Sequence, residues 1–136
     1  MKTLEQHLKE SWDEAYKKHD FRELPWETVK PDEELVRILR EEKIKKCKVL
    51  DIGCGSGTNS IFLAKNGFDV VGVDISPTAI EIAKKRVEDA GVKVKFLVAN
   101  AYALKFAKNS FDFVFDRGCF HHIPIGGGIQ ASAAVD

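Results

Sequence analysis

Apolar positions change their spacing along this chain. From Leu4 to Lys18 they recur every three or four residues, at Leu4, Leu8, Trp12, Ala15 and Tyr16, which is the period of one helical face. The stretch 19–30 has no period and contains Pro25 and Trp26, so a connecting loop is predicted. A second helix is predicted from Pro31. Asp32, Glu33 and Glu34 would sit at its positive N-terminal dipole, Lys43, Lys45 and Lys46 near its end, and Leu35, Ile38 and Leu39 on its buried stripe.

Beyond residue 46 the pattern becomes short apolar runs separated by helical stretches, the form taken by repeated βα units. Strands are predicted at 48–52, 70–75, 92–98 and 111–115. The second is nearly all apolar, as in a strand buried on both faces, whereas Lys93 and Lys95 in the third suit an edge of the sheet. A helix over 56–65 stops at Asn66 and Gly67. A longer one starts with Ser76 as N-cap and Pro77 at the first helical position, buries Ile80, Ala83, Val87 and Ala90 on one face, and stops at Gly91. The expected fold class is α/β: a Rossmann-like, doubly wound, mainly parallel sheet whose strands end at one crevice, preceded by N-terminal helices. Residues 1–125 would form one domain, with 1–46 as a helical lid. Residues 126–136 carry three glycines followed by small residues, the composition of a flexible tail, and are expected to lie outside the domain's own sequence.

Charge and cysteine content narrow the function. Twenty-one basic and 21 acidic side chains cancel, so no net field attracts a nucleic-acid backbone or an anionic membrane. The N-terminus lacks the apolar core of a signal peptide and no stretch is long and apolar enough to span a bilayer, which makes the cytoplasm the expected address. Cys47, Cys54 and Cys119 are an odd number without a CxxC pair. Cys119, His121 and His122 are crowded on one short segment, and no metal site is expected from them.

The chemistry concentrates in Val49-Leu50-Asp51-Ile52-Gly53-Cys54-Gly55-Ser56-Gly57-Thr58, a strand running into a glycine-rich turn and then a helix. Glycines there let the main chain take unusual angles and come close to a ligand. The dinucleotide pattern G-x-G-x-x-G is not met, because its last position, counted from Gly53, is Thr58. Asp74, at the end of the second strand, stands where an acid can accept hydrogen bonds from two ribose hydroxyls, with helix capping as its alternative use.

Asp51 to Gly57 together with Val73-Asp74-Ile75-Ser76 resembles the first two motifs of class I S-adenosylmethionine-dependent methyltransferases. The segment Phe115-Asp116-Arg117-Gly118-Cys119-Phe120-His121-His122-Ile123-Pro124 is similar to the strand-four segment of the small-molecule members, the thiopurine and tellurite-resistance type. The resemblance implies transfer of a methyl group from S-adenosylmethionine to a small-molecule acceptor by in-line displacement, leaving S-adenosylhomocysteine, with no metal. It assigns the methionyl part and the ribose side to Asp51, Gly53, Cys54 and Gly55, and the ribose hydroxyls to Asp74. Asn100 is assigned to the adenine amino group, with a turn role as its alternative, Ala101 lies beside the ring, and Ile75 and Tyr102 flank it.

Asp116 would face the methionyl ammonium or the acceptor. His121 and His122 are candidate general bases, or side chains that pack at the start of the next helix. The family's sheet has seven strands and this pattern gives four, so a truncated fold is expected, inactive as a fragment or a binding module without chemistry. Its strand edge at 111–115 would be open to pairing with a second copy. A dehydrogenase remains the contrasting reading, opposed by Thr58.

Overall fold

The computed structural model describes residues 1–41, 44–100 and 110–116, and the structural statements below concern these. Eight elements follow in chain order: α1 (Leu4–Lys18), α2 (Glu33–Arg40), β1 (Lys48–Ile52), α3 (Thr58–Lys65), β2 (Asp69–Asp74), α4 (Pro77–Ala90), β3 (Lys95–Val98) and β4 (Phe113–Asp116). The four strands form one parallel sheet in the order β3-β2-β1-β4, with flanking helices. The predicted fold class is therefore observed. β3 lies at an edge, as its lysines suggest, and β1 lies between β2 and β4, where the direction of winding reverses.

Side-chain alternation along β1 divides the core. Val49 joins Leu35 of α2, Leu63 of α3, Phe68, Val70, Phe113 and Phe115 in one cluster. Leu50 and Ile52 belong with Val73 to another. α4 supplies Ile80, Ala83 and Val87, which meet Phe96 and Ile61 in a third. Gly72 of β2 is small of necessity, since a Cβ there would stand 2.7 Å from the Phe96 ring and 3.1 Å from Cys54 Sγ.

The helix ends follow local chemistry. Thr3 and Gln6 form a reciprocal capping box at the start of α1. Ser76 caps α4 through Ala79 N–H, Pro77 takes the first turn, and Gly91 ends the helix with φ +69°. Several boundaries differ from the sequence reading. α2 runs from Glu33 to Arg40, because Asp32 is the cap and accepts hydrogen bonds from the Glu34 and Leu35 amides. Pro31 thus precedes the cap, and the helix ends before Lys45 and Lys46; Lys43 lies outside the described residues.

α3 begins at Thr58 and not at Ser56, because Gly57, at φ +87°, keeps the chain in a turn to that point. β2 begins and ends one residue earlier than predicted. β3 starts at Lys95 because Val92 N–H is still spent on Val87 C=O at the end of α4. β4 is displaced to Phe113–Asp116, while Asp112 brackets the start of β1: its N–H bonds Lys48 C=O and its carboxylate accepts from Lys48 N–H. The loop after α1 contains a short 3-10 turn, Phe21–Glu23. Of the apolar stripe of α1 only Tyr16 is buried, and Leu4 is exposed. The segment 126–136 lies outside the described residues.

Phe113 is fully buried where β4 joins β1, so Phe113→Ala should lower unfolding free energy by about 3–5 kcal/mol, a lost ring plus the cavity it leaves. Urea unfolding measures this; a loss below about 1 kcal/mol would mean β4 is not part of the cooperative core.

Candidate functional site

Parallel pairing brings the carboxyl ends of all four strands to one edge. Ile52 stands opposite Val73 on one side and Asp116 on the other, and Asp74 stands opposite Val98. Asp51, Asp74, Asn100 and Asp116, which the sequence marks separately, therefore share one end of the sheet around the 53–57 turn. Asn100 is half-buried just after β3, and Ile75, also half-buried, follows β2. Ala101, Tyr102, Arg117, Cys119, His121 and His122 lie outside the described residues.

The turn itself is packed from both sides. Gly53, Gly55 and Gly57 all have positive φ. Gly55 is also hemmed in: a Cβ there would overlap the Glu27 carboxylate and the Tyr16 hydroxyl. At Gly57 a Cβ would meet Ala83 and Phe96 at 3.1 Å, so this glycine sets how closely α3 approaches α4. Four successive amides have partners within the chain. Cys54 N–H bonds Val73 C=O at 2.9 Å, Gly55 N–H bonds Asp74 Oδ2 at 2.9 Å, Ser56 N–H bonds Glu27 Oε2 at 3.0 Å, and Gly57 N–H bonds Cys54 C=O at 2.9 Å.

Asp74 also accepts Ser76 N–H on its other oxygen at 2.9 Å. Burial raises its pKa, opposed by those two amides. Asp51 is 3% exposed and accepts a hydrogen bond from Ser60 Oγ of α3 at 2.6 Å. Burial is the main cause that pushes its pKa up to about 7, and the charges of Asp74, Asp116 and Glu27 add to it, against the lowering effect of Ser60.

Sequence reasoning expected a helical lid from residues 1–46 but did not single out the side chains by which this segment contacts the turn. Glu27 accepts from Ser56 N–H, from Ser56 Oγ at 2.5 Å and from the Tyr16 hydroxyl, which in turn accepts Trp26 Nε1–H at 2.9 Å. Trp26 packs edge-on against Trp12, ring centroids 4.9 Å apart. Thr58 Oγ1 donates to Thr28 C=O, and Asp32 N–H donates to Asn59 Oδ1. Asp13 of α1 accepts from Ser76 Oγ and Thr78 N–H, each at 2.8 Å. Burial opposes its ionisation, but the hydrogen bonds from Thr78 and Ser76 outweigh that and lower its pKa to about 2. Behind the turn, Arg86 of α4 donates to Ser56 C=O, Ser56 Oγ and Thr58 Oγ1 and lies over the Phe21 ring at 4.8 Å. The buried polar side chains Asp51, Ser56, Thr58, Ser60 and Ser76 all belong to this region. Asp51 and Ser76 are marked in sequence by the motif and the cap, whereas the only signal for Ser56, Thr58 and Ser60 is the run of hydroxyl residues around the glycines.

Residues 49–133 match the family described as "Methyltransferase domain", a match that runs into the glycine-rich stretch after 126. Among curated proteins, the 2-heptyl-1-hydroxyquinolin-4(1H)-one methyltransferase of Mycobacteroides abscessus is 32% identical over 102 residues, covering 74% of this chain and 44% of that protein. A solved structure concerned with conversion of a disulfide bond into a thioacetal group during echinomycin biosynthesis superposes with TM-score 0.78 at 34% identity, over 85% of this chain and 49% of that one. The Pyrococcus abyssi tRNA (uracil-54, C5)-methyltransferase in complex with S-adenosyl-L-homocysteine superposes with TM-score 0.51 at 40% identity, over 60% of this chain and 20% of that one. The chain spans about half the length, or less, of these relatives.

A carboxyl whose pKa is raised by folding binds a proton more tightly in the fold than in the unfolded chain. The stability it contributes is complete below the ordinary aspartate value of 3.8 and is lost as pH rises through about 7. Asp51→Asn should therefore melt above the wild type at pH 8 and show a smaller gain, or none, at pH 5. Thermal melts at the two pH values test this, and a pH-independent difference would rule out a buried, protonatable Asp51.

Proposed function

This chain belongs to the methyltransferase-domain family, and from that premise we propose that it binds S-adenosylmethionine at the carboxyl ends of β1, β2 and β4 and serves methyl transfer to a small-molecule acceptor. The observation that carries the reading is the set of carboxylates, Asp51, Asp74 and Asp116, converging on a turn whose amides are already taken. The cofactor bears an ammonium and a sulfonium, so acidic and carbonyl oxygens suit it, whereas a phosphate would need N–H donors.

Asp74 is the ribose ligand in this reading; its two oxygens, now held by the Gly55 and Ser76 amides, are fixed in direction before any ligand arrives. Exposed Gly53 and close-packed Gly55 offer main chain to the methionyl part, with Asp51 behind them as a buried negative charge whose ionisation a bound cation favours. Asn100 and Ile75 serve the adenine, and Asp116 faces the ammonium or the acceptor. Bound S-adenosylmethionine supplies a methyl group on a positively charged sulfur, which an acceptor nucleophile displaces in line. The protein's part is to hold the reactants in reach and keep water out, which can supply much of the acceleration without a side-chain base. The small-molecule acceptor is supported by the chain's balanced charge and by the hydroxyquinolone named for its Mycobacteroides relative.

Calorimetric titration with S-adenosylhomocysteine, with NAD as control, tests the reading. The wild-type chain should bind the former saturably and not the latter. Asp74→Ala should weaken binding at least about tenfold, the loss of one charge-assisted hydrogen bond or more. Preference for NAD, or full affinity in a folded Asp74→Ala chain, would overturn it.

A further inference from the structure

A glycine-rich turn between a strand and a helix ordinarily offers its amides to an anion. Here the amides of residues 54–57 are bonded within the chain, two of them to carboxylates. One of those acids, Asp74, belongs to the β2 motif. The other, Glu27, comes from 29 residues upstream of Ser56, in a segment that packs over the turn. We propose that Glu27 determines which charge the turn accepts: it fills the donor position a phosphate would use and leaves in its place a negative charge that selects a ligand bearing an ammonium. The inference rests on the reading that the ligand is S-adenosylmethionine, and it names a specificity residue outside the glycine-rich motif.

Three features place Glu27 for that role. Its carboxylate lies against Gly55, where any side chain would collide with it, so it borders the same main chain assigned to the methionyl part. It is oriented by three donors, Ser56 N–H, Ser56 Oγ and the Tyr16 hydroxyl. Tyr16 can act as that donor because burial, and then the Glu27 charge, hold its hydroxyl protonated far above neutral pH. Among the described residues Glu27 forms no ion pair. Arg86, the cation nearest the turn in the hydrogen-bond network, is directed to Ser56 C=O, Ser56 Oγ and Thr58 Oγ1. The Glu27 carboxylate is therefore held directly by neutral donors, while the Arg86 charge acts on it through space and across Ser56 Oγ, so among the described residues no cation occupies the contact position that a ligand's ammonium would take.

Glu27→Gln keeps an oxygen for the Ser56 amide and removes the charge. Three probes on the full chain separate charge selection from a merely structural role: S-adenosylhomocysteine, which carries the ammonium; 5′-methylthioadenosine, which lacks the amino-acid portion; and 5′-AMP, which carries a phosphate instead. The variant should bind S-adenosylhomocysteine about tenfold more weakly, bind 5′-methylthioadenosine within about twofold of wild type, and gain affinity for 5′-AMP relative to 5′-methylthioadenosine. Equal losses for the first two probes would show that Glu27 only shapes the turn, and an unchanged affinity for S-adenosylhomocysteine would show that its charge is not used; either result overturns the proposal. If the wild-type chain binds neither of the first two probes, the failure lies instead with the S-adenosylmethionine reading itself.

Discussion

Where β1 leaves the sheet, the chain must turn into α3 within five residues while lying against a second helix on one side and the N-terminal segment on the other. Side chains cannot be accommodated at Gly55 and Gly57, and amides this deep cannot be left without acceptors. The glycines meet the first demand, and the second is met largely from outside the turn: Val73 and Asp74 on the neighbouring strand and Glu27 from upstream supply acceptors, and Cys54 C=O takes the Gly57 amide. The price is a concentration of negative charge in a region of low exposure, which adds to the burial that displaces the Asp51 carboxyl upward. A buried charge of one sign is tolerable when a ligand of the other sign completes it.

The same constraint explains the attachment of the N-terminal segment. It has little apolar surface to offer: in α1 Tyr16 alone is buried, and the cluster it forms with Leu24 and Ala79 is small. Its hold is polar and specific. Asp13 reaches the start of α4, Thr28 and Asp32 reach the start of α3, and Glu27 reaches the turn between β1 and α3. Each contact supplies an acceptor or a donor to a helix start or a turn that would otherwise need one. Packing energy fixes the sheet, and hydrogen-bond satisfaction fixes what lies over its carboxyl edge.

The sheet was legible because burial on a parallel strand leaves an apolar run in sequence, and Ser76-Pro77 and Gly91 announce the ends of α4 by their own chemistry. Boundaries were less legible where side chains took over main-chain duties, as with Asp32 ahead of α2 and Asp112 ahead of β4. Asp51, Asp74 and the glycines could be marked because strand ends and glycine spacing are local patterns. Glu27, Tyr16, Arg86 and Asp13 could not, since each acts on a residue at least 29 positions away or through a partner that only the fold supplies. Hydrogen bonding of that kind has no period in the sequence.

The region matched to the family begins at Val49, and Glu27 lies before it. Two stretches of chain far apart in sequence thus meet at one turn. The glycines answer to main-chain geometry and can vary little without unfolding the connection. The acid that rests on them supplies an acceptor the turn needs and a charge it does not, so on the proposal above an exchange that keeps the acceptor at that single upstream position would redirect the pocket while the turn keeps its path.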